Sequence, residues 1–226
     1  TMAAQRDRAA LLVLEDGTFF EGRAAGAGES TVGEVVFNTS MSGYQEILTD
    51  PSYAGQIVTL TMPHVGNYGV NDGDLESDEI QAAGLVVRGL TDHPSNYRSQ
   101  QSLPEWLRNE EVVAIHEVDT RAVTRRVRDE GVMMGVVAHG ATAAEVDGWL
   151  QHLSEQPGYG AKDFVADVVC SEPKAVELEA VEPESEVDGD PAQGRISFGP
   201  PIREPEEDFR PHVVVSVFSG TPSDGH

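Results

Sequence analysis

Apolar positions recur along the first 160 residues in short runs, broken by glycine, proline and small polar residues. That spacing predicts brief strands with a few short helices between them. Residues 11–22 place an apolar run on each side of Asp16-Gly17, a β-hairpin with a two-residue turn. Gly26 and Gly28 follow in a Gly/Ala loop that lacks the third glycine and the following helix of a phosphate cradle. Residues 33–69 then read as strand, loop, short helix, turn, strand and loop. Val35-Val36-Phe37 and the β-branched run 56–61 are the strands, and Asp50-Pro51-Ser52 is the turn.

Further on, residues 70–79 form a polar, acidic loop whose Gly73 is misplaced for a calcium-binding EF-hand. Residues 82–88 are a buried strand, 92–97 a loop, and Ser102 with Pro104 opens a helix. A strand at 112–115 leads to a helix over 119–128, capped by Asp119 or Thr120, with Val123 and Val127 on one face. Residues 131–138 return as a strand, and Thr142 caps an amphipathic helix over 143–153. Beyond the 33–69 block, then, three short helices alternate with strands. The whole predicts a mixed α/β layered domain over residues 10–160. Strand order does not follow from this pattern.

After Gly158 the texture changes. Residues 164–170 predict one more strand. Residues 171–210 hold six of the thirteen prolines, with 12 acidic against 4 basic groups, and read as a linker. His212-Val213-Val214-Val215-Ser216-Val217-Phe218 looks like the first strand of another domain, and the end reads as truncated. Thr1 reads as an addition ahead of a natural start at Met2.

Charge sharpens the picture. The chain of 226 residues carries 39 acids and 15 bases, a formal net charge of −24, and only Lys162 and Lys174 are lysines. The acidity is distributed, with 26 acids against 11 bases in residues 1–170 alone. Such a chain repels itself in dilute salt and suits a concentrated-salt interior, which points to a halophilic source. The same charge disfavours nucleic acid and anionic membranes as partners. No apolar run reaches the roughly 18 residues of a membrane span. The single cysteine, Cys170, excludes an internal disulfide framework and fits a reducing cytoplasm.

Candidate chemistry is sparse. Cys170 has no glycine-flanked elbow and reads as an incidental thiol. The seven histidines show no metal-ligand spacing. His64, between Pro63 and Val65-Gly66-Asn67, reads as a turn histidine hydrogen-bonded to backbone. Arg121, Arg125 and Arg128 form a stripe at i, i+4 and i+7, either a solvated face paired with local carboxylates or a partner-binding patch.

Taken in order, residues 11–17, 33–41 (Gly-Glu-Val-Val-Phe-Asn-Thr-Ser-Met), 43–53 (Gly-Tyr-Gln-Glu-Ile-Leu-Thr-Asp-Pro-Ser-Tyr), 63–67 (Pro-His-Val-Gly-Asn) and 119–121 (Asp-Thr-Arg) closely resemble a known family. It is the small subunit of glutamine-dependent carbamoyl-phosphate synthetase, and the resemblance is to its amino-terminal domain over residues 10–170. The resemblance implies a layered β/β/α domain at 10–160, an acidic Pro-rich linker at 161–210, and at 211–226 the start of a class I glutamine amidotransferase domain. It implies a subunit that packs on the large synthetase subunit and supplies ammonia from glutamine for carbamoyl phosphate, in arginine and pyrimidine synthesis. ATP and magnesium would belong to the large subunit, leaving no cofactor in this chain. In the family's Asp-Pro-Ser-Tyr motif the serine reaches the glutamine site, a role that falls on Ser52, whose hydroxyl can both donate and accept. Turn capping beside Pro51 is the alternative. The family's nucleophile elbow and its catalytic histidine and glutamate have no counterpart here, so the chain alone is expected to be inactive on glutamine. The alternative to an enzyme subunit is a non-catalytic docking module. The arginine stripe, or the loop with His64 and Asn67, is the expected large-subunit contact.

Overall fold

The computed structural model describes residues 8–161 and Phe164, all within the first of two compact units, Thr1–Lys174. Cys170, the linker at 171–210 and the strand at 212–218 lie outside the described residues, as does the strand at 164–170 apart from Phe164. The described strands are β1 (Ala9–Leu14), β2 (Phe19–Gly26), β3 (Ser30–Asn38), β4 (Gln56–Leu60), β5 (Gly84–Val86), β6 (Val113–His116) and β7 (Met133–His139). They close into a barrel in the order β1-β2-β6-β5-β4-β3-β7. Four α-helices accompany them among the described residues: α1 (Tyr44–Thr49), α2 (Leu103–Asn109), α3 (Thr120–Glu130) and α4 (Val146–Ser154). The fold is thus mixed α/β.

The hairpin forms, but its turn is longer than the two residues expected. Leu14 N–H donates to Thr18 O at 2.8 Å, while Glu15 N–H donates to Met134 O on β7. Glu15 is therefore held in the neighbouring ladder and the chain cannot reverse until Asp16-Gly17, with Gly17 at φ 87°. β3 also starts earlier than Val35, at Ser30, because its first residues pair with β7 from Ser30↔Ala138 onward. The helix expected over 143–153 begins as a 3-10 turn, Ala143–Glu145, under a capping box of Thr142 and Glu145, and only then becomes α4.

Three runs are parallel, β3 to β4, β4 to β5 and β5 to β6, and every other pairing is antiparallel. The interior follows from the two-residue period of strands. Leu12, Leu14, Val35, Ile57, Val86, Ile115 and Val137 pack inside, with Val123 and Val127 of α3 in the same cluster. The opposite faces of β4, β5 and β6 pack Val58, Leu60, Leu85 and Ala114 against Leu48 of α1 and Trp106 and Leu107 of α2. On the other side α4 covers Leu11, Val13, Val136 and Ala138 with Val146 and Leu153. Each fully buried Val, Leu or Ile in these layers contributes about 1.5–3 kcal/mol. His139, buried at the end of β7, sets both ring nitrogens on carbonyls, of Gly28 at 3.1 Å and Ala114 at 2.8 Å. Burial nonetheless holds its pKa below the ordinary 6.5.

Room inside the barrel is limited where β1, β3 and β7 meet. A Cβ at Gly135 would sit 2.5 Å from Val35 Cγ2 and 3.2 Å from Val13 O. Gly135→Ala is expected to destabilise the chain by about 1–3 kcal/mol through overpacking, read as a lower urea midpoint. An unchanged midpoint would contradict the tight closure described here.

Candidate functional site

The inward faces of β3, β4 and β5 continue past the strands' carboxyl ends by the same alternation. Val35 and Phe37 lead to Thr39, Ile57 and Thr59 to Thr61, and Val86 to Arg88. These three residues rim one mouth of the barrel. α3 crosses that mouth, contacting β3 and β4, because its Val123 and Val127 insert into the interior. Its polar residues then face the opening. Thr39, Thr61, Pro63 and Arg88 line one wall of a cleft of about 630 Å³, and Thr120, Arg121, Thr124, Arg125 and Arg128 line the other.

Local sequence chemistry fixes the α3 wall. The Asp119 carboxylate accepts from Ala122 N–H at 3.1 Å, which settles the cap in favour of Asp119. Thr124 Oγ1 donates to Thr120 O at 2.7 Å. Arg126, on another face, ties α3 to the hairpin turn through Asp16 at 2.6 Å. Burial acts to raise the Asp16 carboxyl, but the Thr18 amide and Arg126 outweigh it and hold the pKa below its ordinary value.

Of the three stripe arginines, Arg128 pairs with Asp129 at 2.9 Å. Arg121 and Arg125 are exposed, and no carboxylate of the described residues pairs with them or with Arg88. The face is thus solvated as expected, but among the described residues a local carboxylate pairs with Arg128 alone of the three. Arg88, Thr39, Thr61 and Thr124 were not singled out from sequence, and Thr120 only as an alternative cap and part of the Asp-Thr-Arg motif. For Arg88, Thr39 and Thr61 the signal is the inward alternation of three strands, which becomes visible only once the strand order is known.

His64 and Asn67 lie on the loop that leaves the β4 end of this mouth, both exposed. The His64 ring lies against Gly89, where a Cβ would approach Nδ1 to 3.1 Å, and it makes no hydrogen bond with described residues. The expected turn histidine bonded to backbone is thus corrected. The loop is held instead by main chain: Val65 N–H donates to Gly89 O, Thr91 N–H to Val65 O and Ser95 N–H to Asn67 O at 3.0 Å.

Ser52 is elsewhere. It sits in the 3-10 turn Pro51–Tyr53 ahead of β4, whereas Thr61 follows that strand, and β4 puts about 16 Å between its two ends. The turn is capped by Asp50, whose Oδ1 accepts from Ser52 N–H at 2.8 Å. The Ser52 hydroxyl is exposed and has no partner among the described residues, so turn capping falls to Asp50 and not to Ser52. Between these regions Tyr44 and Tyr68 stack with ring centroids 4.1 Å apart. Tyr68 Oη accepts from Gly43 N–H at 2.7 Å and Tyr44 Oη donates to Gly69 O at 2.6 Å. Burial pushes both phenols up. Gln45 clasps Asn71 through its Nε2 and Oε1.

Among the described residues no group of three or more His, Cys, Asp or Glu is placed to hold a metal ion, and no helix is long and apolar enough to cross a membrane. What the geometry provides is a barrel with one basic mouth and, apart from it, an exposed serine on a tight turn.

The family described as carbamoyl-phosphate synthase small chain, CPSase domain, matches residues 12–137, and the chain belongs to it. Among relatives, the carbamoyl phosphate synthase small chain of Pectobacterium atrosepticum is 52% identical over 165 residues, 73% of this chain and 43% of the relative. That of Escherichia coli K12 is 50% identical over 165 residues, and that of Thermotoga maritima 48% over 170, 42% of its length. The match thus spans less than half the length of these relatives.

The geometry at Pro51–Tyr53 separates two roles that adjoin in sequence. Asp50→Ala removes the cap and is expected to cost about 1 kcal/mol in urea unfolding. Ser52→Ala is expected to change stability by less than about 0.5 kcal/mol. A Ser52→Ala loss as large as that of Asp50→Ala would return the serine to a structural role.

Proposed function

We propose that this chain acts as the small chain of carbamoyl-phosphate synthase, docking on the large synthetase subunit and supporting ammonia supply from glutamine. The observation that carries the reading is the identity of 48–52% over 165–170 residues with small chains from three bacteria. In this reading residues 10–160 are the docking domain, 161–210 an acidic linker, and 211–226 the start of a glutamine amidotransferase domain. In this reading residues 10–160 take the layered β/β/α arrangement expected of the family's amino-terminal domain. The exposed, unpartnered Ser52 hydroxyl supports a role in holding glutamine's polar groups across a domain boundary. ATP and magnesium act on the large subunit, carbamoyl phosphate serves arginine and pyrimidine synthesis, and the net charge of −24 fits the cytoplasm of a halophile.

Hydrolysis of glutamine needs a nucleophile with a base in hydrogen-bond reach. Residues 1–226 offer one cysteine, Cys170, outside any elbow, so the chain by itself is inactive on glutamine. A docking module without catalysis of its own is the second reading. It is favoured by the basic mouth, because arginines left without carboxylates in so acidic a chain suit an acidic partner surface. Both readings place the large subunit on the face formed by α3 and the loop carrying His64 and Asn67.

Size-exclusion chromatography of this chain mixed with the large synthetase subunit in high salt tests docking. Co-elution is expected, and it is expected to weaken when Arg121, Arg125 and Arg128 are all changed to Glu. Separate elution of the unmodified chain would contradict docking, and unchanged co-elution of the charge-reversed chain would remove the three arginines from the contact. The purified chain alone is expected to release no glutamate from glutamine.

A further inference from the structure

The mouth of the barrel gathers donors from separate elements around one cleft. Arg88 comes from the end of β5, while Arg121 and Arg125 come from α3, so guanidinium groups face one cleft from two separate elements. Thr39 and Thr61 add hydroxyls to one wall and Thr120 to the other, while the Thr124 hydroxyl already donates to Thr120 O. No described carboxylate neutralises Arg88, Arg121 or Arg125, in a chain with 39 acids. With acids outnumbering bases so heavily, leaving three neighbouring cations unpaired is a cost that an anionic occupant would relieve.

Position in the fold points the same way. The cleft lies at the carboxyl ends of three consecutive parallel strands, β3, β4 and β5, the end at which closed parallel barrels also place their ligands. One residue pair below the rim, Thr59 is fully buried and its Oγ1 has no hydrogen-bond partner among the described residues. A volume of about 630 Å³ falls within the range of small-molecule sites, roughly 300–1,000 Å³.

We infer that this cleft binds a phosphate-bearing small molecule. Guanidinium forks match phosphate oxygens bidentately, and hydroxyls donate to the oxygens that remain. In molar salt the Debye length shrinks to about 3 Å, so the protein's overall negative charge is screened while contacts inside the cleft persist. Binding is a property of this chain alone and does not rest on the docking reading. Its failure and the failure of docking are thus separable.

The test is a 31P NMR titration of the full chain with inorganic phosphate and with pyrophosphate, in molar KCl. Saturable binding to one site is expected, tighter for pyrophosphate. Arg88→Ala and Arg121→Ala, on different elements, are each expected to weaken it about tenfold, as loss of a charge-assisted hydrogen bond does. Arg121→Lys keeps the charge without the fork and should fall between. Arg98→Ala, whose guanidinium pairs with Asp74 away from the cleft, should bind as the unmodified chain does. Urea midpoints of the variants establish that each is folded. Two results would overturn the proposal: no saturable binding of either anion, or binding indifferent to Arg88 and Arg121. If the first came together with variants that abolish co-elution with the large subunit, these arginines would face protein carboxylates instead.

Discussion

The structure depends on the closure of its sheet by β7. This strand pairs with β1 along one edge and β3 along the other, from Ala10↔His139 to Leu14↔Gly135 and from Ser30↔Ala138 to Val35↔Met133. Without it the sheet would have two exposed edges, a liability for strand pairing between chains. With it, the first and last of the described strands are joined and each described strand has a neighbour on both sides. Closure also sets the interior, because it brings Val35, Leu14 and Gly135 into one crowded layer. α3 closes the strand ends beside that layer, with Arg126 bonded to Asp16 two residues past Leu14, and so divides the interior from the mouth.

Function follows from that division. The carboxyl ends of β3, β4 and β5 stay open enough to need a plug, and the two buried valines of α3 provide it. A helix fixed by two apolar residues and by the Arg126–Asp16 tie presents its remaining face in one orientation. Arg121 and Arg125 therefore meet Arg88 by construction of the barrel. The conformation of Ser52 has a different origin: the tight turn ahead of β4, fixed by Asp50. The stacked pair Tyr44 and Tyr68 binds the two halves of the central stretch to each other, so the turn and the loop after β4 are held by one scaffold.

Much of this was legible from residue pattern. The hairpin, the 56–61 and 112–115 strands, the Asp119-capped helix and the Thr142 cap each carry a local signal, and local signals survive into the fold. What was not legible depends on partners distant in sequence. Glu15 joins β7 because of Met134, and Ser30 joins it because of Ala138, so the hairpin turn lengthened and β3 grew at its start. The basic mouth was half visible. Helical spacing exposed Arg121, Arg125 and Arg128, but Arg88 and the threonines become neighbours only through a strand order that no local pattern encodes. For Ser52 the sequence left capping and ligand roles open, and a single hydrogen bond from its amide to Asp50 removed the first.

The central claim is that the α3 mouth is the face this small-chain domain turns to the synthetase. Hydrogen–deuterium exchange of the chain, free and mixed with the large subunit, tests it most directly. The account predicts added protection in the segment after β4 that carries His64, around Arg88 and in the first turns of α3, with Pro51–Tyr53 unchanged. Protection confined to Pro51–Tyr53 or to α4, with the mouth exchanging as in the free chain, would contradict it.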